Sequence, residues 1–476
     1  MRYIQGCNRD QMLLLPEILD DYITEKNPVR FIEAYVDNLD LNEFDFTHSN
    51  TKETGRKPYD PGDLLKLYIY GYLNKIRSSR RLEQATYRNV EIIWLMKKLH
   101  PDFKTIADFR KDNVKSIKKV CRDFTLLCKK MDLFGCELIA IDSSRISASN
   151  NNARCFTKNK IKKLIETIDK KIDDYLKKLD HGDHEEESIS DVSAKELTEK
   201  IEQLKKRKEG YRNIQTKMKQ TGEDQVSLTD PDSRLMVKNN KKDVAYNVQI
   251  VTDDKHKLIV THEVSNCGSD QPQFHKMACQ AKEVLEVDRL TALGDAGYWS
   301  RECIKNCHDD SIETYVPHPT RSCNKKKGLY TKTDFKYDPV NDCYICPAGE
   351  KLEWRGTRVA HGKTEKRYLT YACNKSCLKR SKCTTGKRNR YIYRWIHEDV
   401  LDEMDKRVKE NPDKMRLRKA LVEHPFGTIK HWMGHHHFLT RGLDKVSAEM
   451  SLSILAYNLK RVLNIVDFKE LMLAVQ

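Results

Sequence analysis

The chain of 476 residues contains no run of about 18 apolar residues, the length a helix needs to cross a bilayer, so no transmembrane helix is expected. Its opening stretch, MRYIQGCNRDQMLLLPEI, has only a short apolar patch. It lacks the longer apolar segment and small-residue cleavage site of a secretory signal, and the chain is expected to stay in the cytoplasm. A disulfide pattern is also missing. There are 15 cysteines, an odd number, and most stand alone, as Cys7, Cys121, Cys136 and Cys155 do. That argues against a secreted disulfide scaffold. Acidic residues fall short of basic ones, 71 against 87, which leaves a net charge of +16 and a pI of about 9.0. Such an excess favours polyanionic partners, nucleic acid first; a lysine-rich solvated surface is the plainer alternative. The length suggests two or three compact units.

Residues 1–55 are mixed in character. From GRKPYDPGDLLKLYIYGYLNKIRSSRRLE the pattern turns helical, with Leu64, Leu65, Tyr68 and Tyr72 recurring at helical spacing. Ser78 or Ser79 can cap a second helix with Leu82 and Ala85 inward, and Thr105 can cap a third. A helical domain over 1–131 follows. Its Arg80 and Arg81, at a helix start, could grip phosphates, although a dimerisation unit would look the same. CELIAID (136–142) reads as a buried strand ending in an aspartate. Over 158–180, Ile161, Leu164, Ile165, Ile168, Ile172, Tyr175, Leu176 and Leu179 share one helical stripe, and 194–218 resume a charged helix. This is a helical hairpin inserted over 155–220, read as a spacer or oligomerisation arm. DVAYNVQIVTDDKHKLIVTHEVS (243–265) alternates as a β-hairpin does. A helix over 270–286 capped by Asp270, a strand LTALGD (290–295) and a strand IETYVP (312–317) come next. The order predicts an α+β chain with a mixed sheet and helices on it, its first part spanning 132–319. A Cys-rich insertion occupies 320–395, and helices fill 396–476. The last helix places Met450, Ile454, Tyr457 and Val462 on an apolar face.

Asp142 and Asp295 each end a buried strand, so their carboxylates can emerge together at one sheet edge. With a third carboxylate from a helix they could hold two divalent ions that clamp the attacking and leaving oxygens of a phosphodiester. Carboxylates suit Mg²⁺ or Mn²⁺. Cys343, Cys346, Cys373, Cys377 and Cys383 give C-x2-C followed by C-x3-C-x5-C, with turn residues after Cys346. Two short clusters across a loop are the pattern of a tetrahedral structural zinc site, which needs four of the five; a reduced thiol-rich loop is the alternative. The basic CLKRSKCTTGKRNRYIYR within it could touch DNA.

IAIDSSRISASN, LGDAGYWS and VEHPFGTIKHWMG resemble the three catalytic blocks of bacterial insertion-sequence DDE transposases. SLTDPDSRLM, AYNVQIVTD, SAEMSLSILAYNLKR and the N-terminal YDPGDLLKLYIYGYLNKIRSSRRLE, of the InsH type, are similar to the same family, in the right order over nearly the whole chain. The resemblance implies a ribonuclease H-like catalytic core and an acidic triad of Asp142, Asp295 and Glu423 holding Mg²⁺ or Mn²⁺. It implies DNA as partner, both element ends and target, and a homodimer in a synaptic complex at a prokaryotic nucleoid. It favours Cys346, Cys373, Cys377 and Cys383 as zinc ligands of a zinc-ribbon-like insertion, with Cys343 as substitute. The family signature Tyr-x2-Arg-x3-Glu-x6-Lys is met by Lys430; Lys419 fills the Arg slot and Arg416 the Tyr slot, which departs from the pattern. Competitors for the glutamate are Glu449, Asp230, Asp232 and Asp270. Glu449 reads as a polar position on a terminal helix and Asp270 as the helix cap above. Ser143 and Ser144 read as polar strand residues, because two-metal chemistry needs no covalent nucleophile.

In LVEHPFGTIKHWMGHHHFLTRG (421–442), Val422, Phe426, Ile429 and Met433 form an inward stripe, with Glu423, Gly427, Lys430 and Gly434 beside it. Pro425 marks either a helix start or a kink. His431 and His435 have zinc-ligand spacing, but no thiolate lies near. The run is read as a phosphate-contacting or packing edge, with His435, His436 and Arg441 toward DNA. The expected function is metal-dependent DNA cleavage and strand transfer. A regulator that binds DNA without catalysis, or a nuclease that cuts without joining, are the alternatives.

Overall fold

The computed structural model describes residues 18–49, 57–184, 191–238, 241–319, 324, 327–360, 362–371, 377–386 and 389–476. The N-terminal part is helical: α1 (Pro28–Asp37), α2 (Pro61–Leu73), α3 (Ser79–Arg88), α4 (Val90–Leu95), α5 (Phe103–Asp112) and α6 (Val114–Lys130). α1 lies in the stretch whose composition gave no reading. Its signal is local: Asn27 accepts a hydrogen bond from the Val29 amide, Pro28 opens the helix, and Val29, Ile32 and Val36 are buried at helical spacing. Asp102, not Thr105, caps α5. Its carboxylate accepts from the amides of Lys104 and Thr105, and the Thr105 hydroxyl donates to it.

Two strand systems follow. β1 (Leu138–Ser147), a short β2 (Cys155–Thr157), the long helices α7 (Lys158–His184) and α8 (Asp191–Thr221), and a short β3 (Gln225–Ser227) come first. β2 pairs with β3 at the base of the helix pair, whose seam holds Ile168, Ile172 and Ile201. Then come β4 (Arg234–Lys238), β5 (Lys241–Asp253), β6 (Ile259–Ser265), α9 (Gln273–Leu285), β7 (Leu290–Leu293), α10 (Arg301–Asp309) and β8 (Ile312–Tyr315). Among the described residues these build a six-stranded mixed sheet in the order β5–β1–β7–β8, with β4 and β6 sharing the outer edge of β5. β5 is antiparallel to β1 and to β6, while β7 is parallel to β1 and to β8. β9 (Lys336–Asp338), β10 (Cys343–Ile345), β11 (Lys351–Ala360), β12 (Lys363–Leu369) and β13 (Ile392–Trp395) form a separate antiparallel sheet around Phe335, Tyr344, Leu352, Tyr368 and Ile392.

The chain closes with α11 (Glu398–Glu410), α12 (Pro412–Gly427), α13 (Leu443–Ile465) and α14 (Phe468–Leu473). α13 is buried nearly all round, Glu449, Ser451, Ser453 and Asn458 included. It therefore packs on several sides at once: against α2, α6 and β6. One continuous apolar core runs from Ile23 in the N-terminal part through the sheet to Val475. Among the described residues no helix is long and apolar enough to cross a membrane.

Candidate active site

Strand register brings the two aspartates together. β1 and β7 run parallel with Ala140 opposite Leu293. Two residues beyond that pair stand Asp142, still within β1, and Asp295, just past the end of β7; neighbouring strands lie about 4.8 Å apart. Ala140 and Leu293 pack with Leu421 and Val422 of α12 and with Tyr315. Side chains two apart on a strand share a face, so Asp142 projects on the side that α12 covers. Asp295 leaves β7 as the cap of a short turn, its carboxylate accepting from the Gly297 amide at 2.9 Å. Gly294 before it has no room for a side chain: a Cβ there would lie 2.5 Å from the Phe274 ring.

Burial pushes the Asp142 carboxyl up to about 6; the Ser143 amide and Arg418 oppose this, and the neighbouring Asp295 and Asp270 carboxylates add to it. Three acids thus act on one another here. Asp270 is not the helix cap expected of it. α9 starts only at Gln273, and the Asp270 carboxylate accepts instead from Asn247 (2.7 Å), Gln249 (2.9 Å) and Arg145 (2.8 Å). Gln249 in turn accepts from the buried Tyr298 hydroxyl. This network underlies the opposite face of β1 and β5. Spacing along the chain could not reveal it, because it depends on the pairing of β5 with β1.

Glu423 sits differently. α12 runs through Pro425, so the helix is an earlier one that the proline interrupts; a π turn follows at Thr428–Trp432, closed by Met433 N–H to Thr428 O at 2.8 Å. Such turns interrupt a helix where a side chain must be re-aimed. Val422, Phe426, Ile429 and Met433 are buried, as their spacing requires. The Glu423 side chain is 65% exposed and pairs with Lys419 at 3.7 Å. Within the π turn, Lys430 donates to Ser144 Oγ, on the same face of β1 as Asp142. Arg418, absent from the expected residues, is the cation of α12 whose charge reaches Asp142. The signature slots point one residue away from it, to Lys419.

The other expected cations are dispersed. Arg416 is exposed and pairs with Asp413; Arg80 lies over the Phe103 ring; Arg81 and His436 are exposed; Arg441 donates to the Ser149 carbonyl. His435 faces away from any phosphate. It is fully buried, its Nδ1 is 2.5 Å from Ser453 Oγ, and burial drags its pKa down to about 3, so the ring is neutral. The histidine run packs along the edge of β1: Phe438 N–H bonds to Ser147 O, and Arg77 from the N-terminal part donates to the His437 carbonyl.

The competing carboxylates are all engaged structurally. Asp230 and Asp232 accept from the Gly442 and Leu443 amides at the start of α13. Glu449 is fully buried, takes the Leu439 and Thr440 amides and the Thr440 hydroxyl, and pairs with Arg77 at 3.5 Å. In the second sheet, Cys346, Cys377 and Cys383 line one small cavity. Cys346 Sγ accepts from the Ala348 and Glu350 amides, both at 3.3 Å. Cys343 does not line that cavity, and Cys373 lies outside the described residues.

Residues 17–112 match a family described as a transposase domain (DUF772), and residues 345–463 match one described as a transposase DDE domain. The two matches support reading the chain as an insertion-sequence DDE transposase. No curated protein matches it. A solved piggyBac transposase synaptic complex with hairpin DNA aligns over 94% of this chain and 79% of that one, at 9% identity. Its TM-score of 0.36 is too low for that likeness to carry any weight. The second matched region of the transposase contains Glu423 and Lys430; Asp142 and Asp295 fall between the two regions. Both matched families are described as transposase families, which supports DNA as a partner.

Proposed function

We propose that the transposase binds the ends of its insertion sequence, cuts them and joins the freed ends to target DNA, using Asp142, Asp295 and Glu423. The observation that carries this is the register that sets Asp142 beside Asp295 under α12. The donor set fits a hard divalent cation: a buried carboxyl held up to about 6, with two further acids near it, has an ionised form that added positive charge would stabilise. Asp142, Asp295 and Glu423 would hold Mg²⁺ or Mn²⁺. Such ions activate a water or a DNA 3′-hydroxyl and offset charge on the leaving oxygen. Lys430 and Arg418 would bind the phosphates flanking the cut, Lys430 with Ser144 as its anchor. Lys419 would release Glu423 to DNA phosphate as the helix docks, since an exposed lysine–glutamate pair is worth under about 1 kcal/mol.

We read the core as ribonuclease H-like. The order β6–β5–β1–β7–β8, with the last three parallel, supports it. On this reading 1–131 is the DNA-binding domain, 132–319 and 396–476 are the core, 155–220 is a helical insertion, and 320–395 is a zinc-bearing insertion using Cys346, Cys373, Cys377 and Cys383. Two element ends must be handled together, so the working form is a homodimer.

The test is a labelled duplex carrying the inverted repeat that borders the gene, incubated with the full chain, Mg²⁺ and unlabelled target. Cut and joined products together are expected. Cutting without joining would reduce the protein to a nuclease, and binding without cutting would reduce it to a regulator; either overturns the proposal.

A further inference from the structure

Away from the acidic pair, on the face of the main sheet opposite α12, α9 and α10 meet at a second group of donor atoms. His275 and Cys279 are four apart on α9, one turn along the same helix face. Asp310 follows the last residue of α10. His275 Nε2 lies 2.6 Å from Asp310 Oδ2, Cys279 Sγ 3.3 Å from His275 Nε2, and Cys279 Sγ 3.5 Å from Asp310 Oδ2. Among the described residues this is the group of three His, Cys, Asp or Glu ligands whose donor atoms all lie within 4.8 Å of one another.

We propose that His275, Cys279 and Asp310 form a transition-metal site, with Zn²⁺ as its natural occupant and a water as fourth ligand. Zinc bonds of about 2.0–2.3 Å set tetrahedral ligand–ligand edges of about 3.3–3.7 Å. The two sulfur edges already have that length. The imidazole–carboxylate edge is that of a shared proton, and it widens by less than about 1 Å when a cation replaces the proton. One imidazole, one thiolate and one carboxylate select a borderline-soft ion over Mg²⁺, so this site and the acidic pair would not compete for the same metal. The platform is held without the metal. The Asp310 amide bonds to the Asn306 carbonyl, and Lys282 donates to the Asp310 carbonyl. A cation here would cross-brace α9 to α10, the two helices that flank β7 in sequence and so bracket the strand that leads to Asp295.

The test uses the full chain with serine in place of Cys343, Cys346, Cys373, Cys377 and Cys383, a background that removes the cysteine-rich site from the signal, stripped with chelator and titrated with Co²⁺. One equivalent should bind with a thiolate-to-metal absorption band. Adding Cys279→Ser should abolish the band, and adding His275→Ala should weaken binding more than about 100-fold. Zinc should raise the Tm of this five-serine background but not of the same background with Cys279→Ser added. No bound Co²⁺, or the same band and stoichiometry after either added substitution, would show only a histidine–aspartate ion pair beside a thiol and would overturn the site. Neither readout involves DNA cleavage, so the outcome is independent of the proposed function.

Discussion

Replacing Asp142 with asparagine should inactivate the transposase and yet stabilise it. The carboxyl is held up to about 6 against an ordinary value of 3.8, chiefly by burial. At 1.36 kcal/mol per pKa unit, ionising it in place costs roughly 3 kcal/mol. The sign follows from linkage. A folded-state pKa above the unfolded one means that the folded form binds the proton more tightly. The stability tied to that proton is fully present below pH 3.8 and is lost as pH rises through 6. The substituted carboxamide does not titrate and has no such proton to lose. In chelator, Asp142→Asn should therefore match wild type near pH 4 and exceed it by up to about 3 kcal/mol at pH 7.5. Unfolding entropy near 2.1 cal/mol/K per residue turns that into a Tm gain of roughly 3–6 °C for a cooperative unit of about 250–470 residues. Thermal melts from pH 4.5 to 8 read it directly. A gain that does not grow with pH, or a loss at pH 7.5, would refute burial as the cause of the shift.

Three further outcomes test other parts of the structure. Gly294→Ala should lower stability by about 1–3 kcal/mol in a denaturant melt, because its Cβ would lie 2.5 Å from the Phe274 ring and 3.2 Å from Val316. Arg77→Ala should cost about 3–5 kcal/mol, read as a lowered Tm, since it strips the cation from the buried Glu449 and the donors from the His437 carbonyl. Lys430→Ala should weaken element-end binding across all sequences alike and reduce the slope of log affinity against log salt by about 1, measured by titration at several salt concentrations.

The two strands were legible because each is an apolar run that needs only local pattern to be seen, but their ends were not: β1 runs past Asp142 to Ser147 and β7 stops at Leu293, before Asp295. The inward stripe beside Glu423 was legible from its spacing, since Val422, Phe426, Ile429 and Met433 are buried. What escaped depended on partners distant in sequence. Asp270 looks like a cap until β5 pairs with β1 and brings Asn247 and Gln249 beneath it. Glu449 looks like a surface position until α13 is enclosed on several sides, and His435 looks like a phosphate contact for the same reason. Arg418 was missed because the family signature counts back from Glu423 to Lys419, and only the fold shows which cation of α12 acts on Asp142. α1 was missed in a stretch of mixed composition where the cap, not the apolar pattern, is the stronger signal.

The most direct test of the acidic triad compares Asp142→Asn, Asp295→Asn and Glu423→Gln with wild type on one labelled element-end duplex, in Mg²⁺ and in Mn²⁺, with binding measured alongside. Each variant should keep its affinity for the duplex within a few-fold and lose cleavage and joining together by roughly 10³-fold or more. Cleavage retained within about tenfold of wild type by any one of the three, at unchanged binding, would contradict that residue's place in the active site.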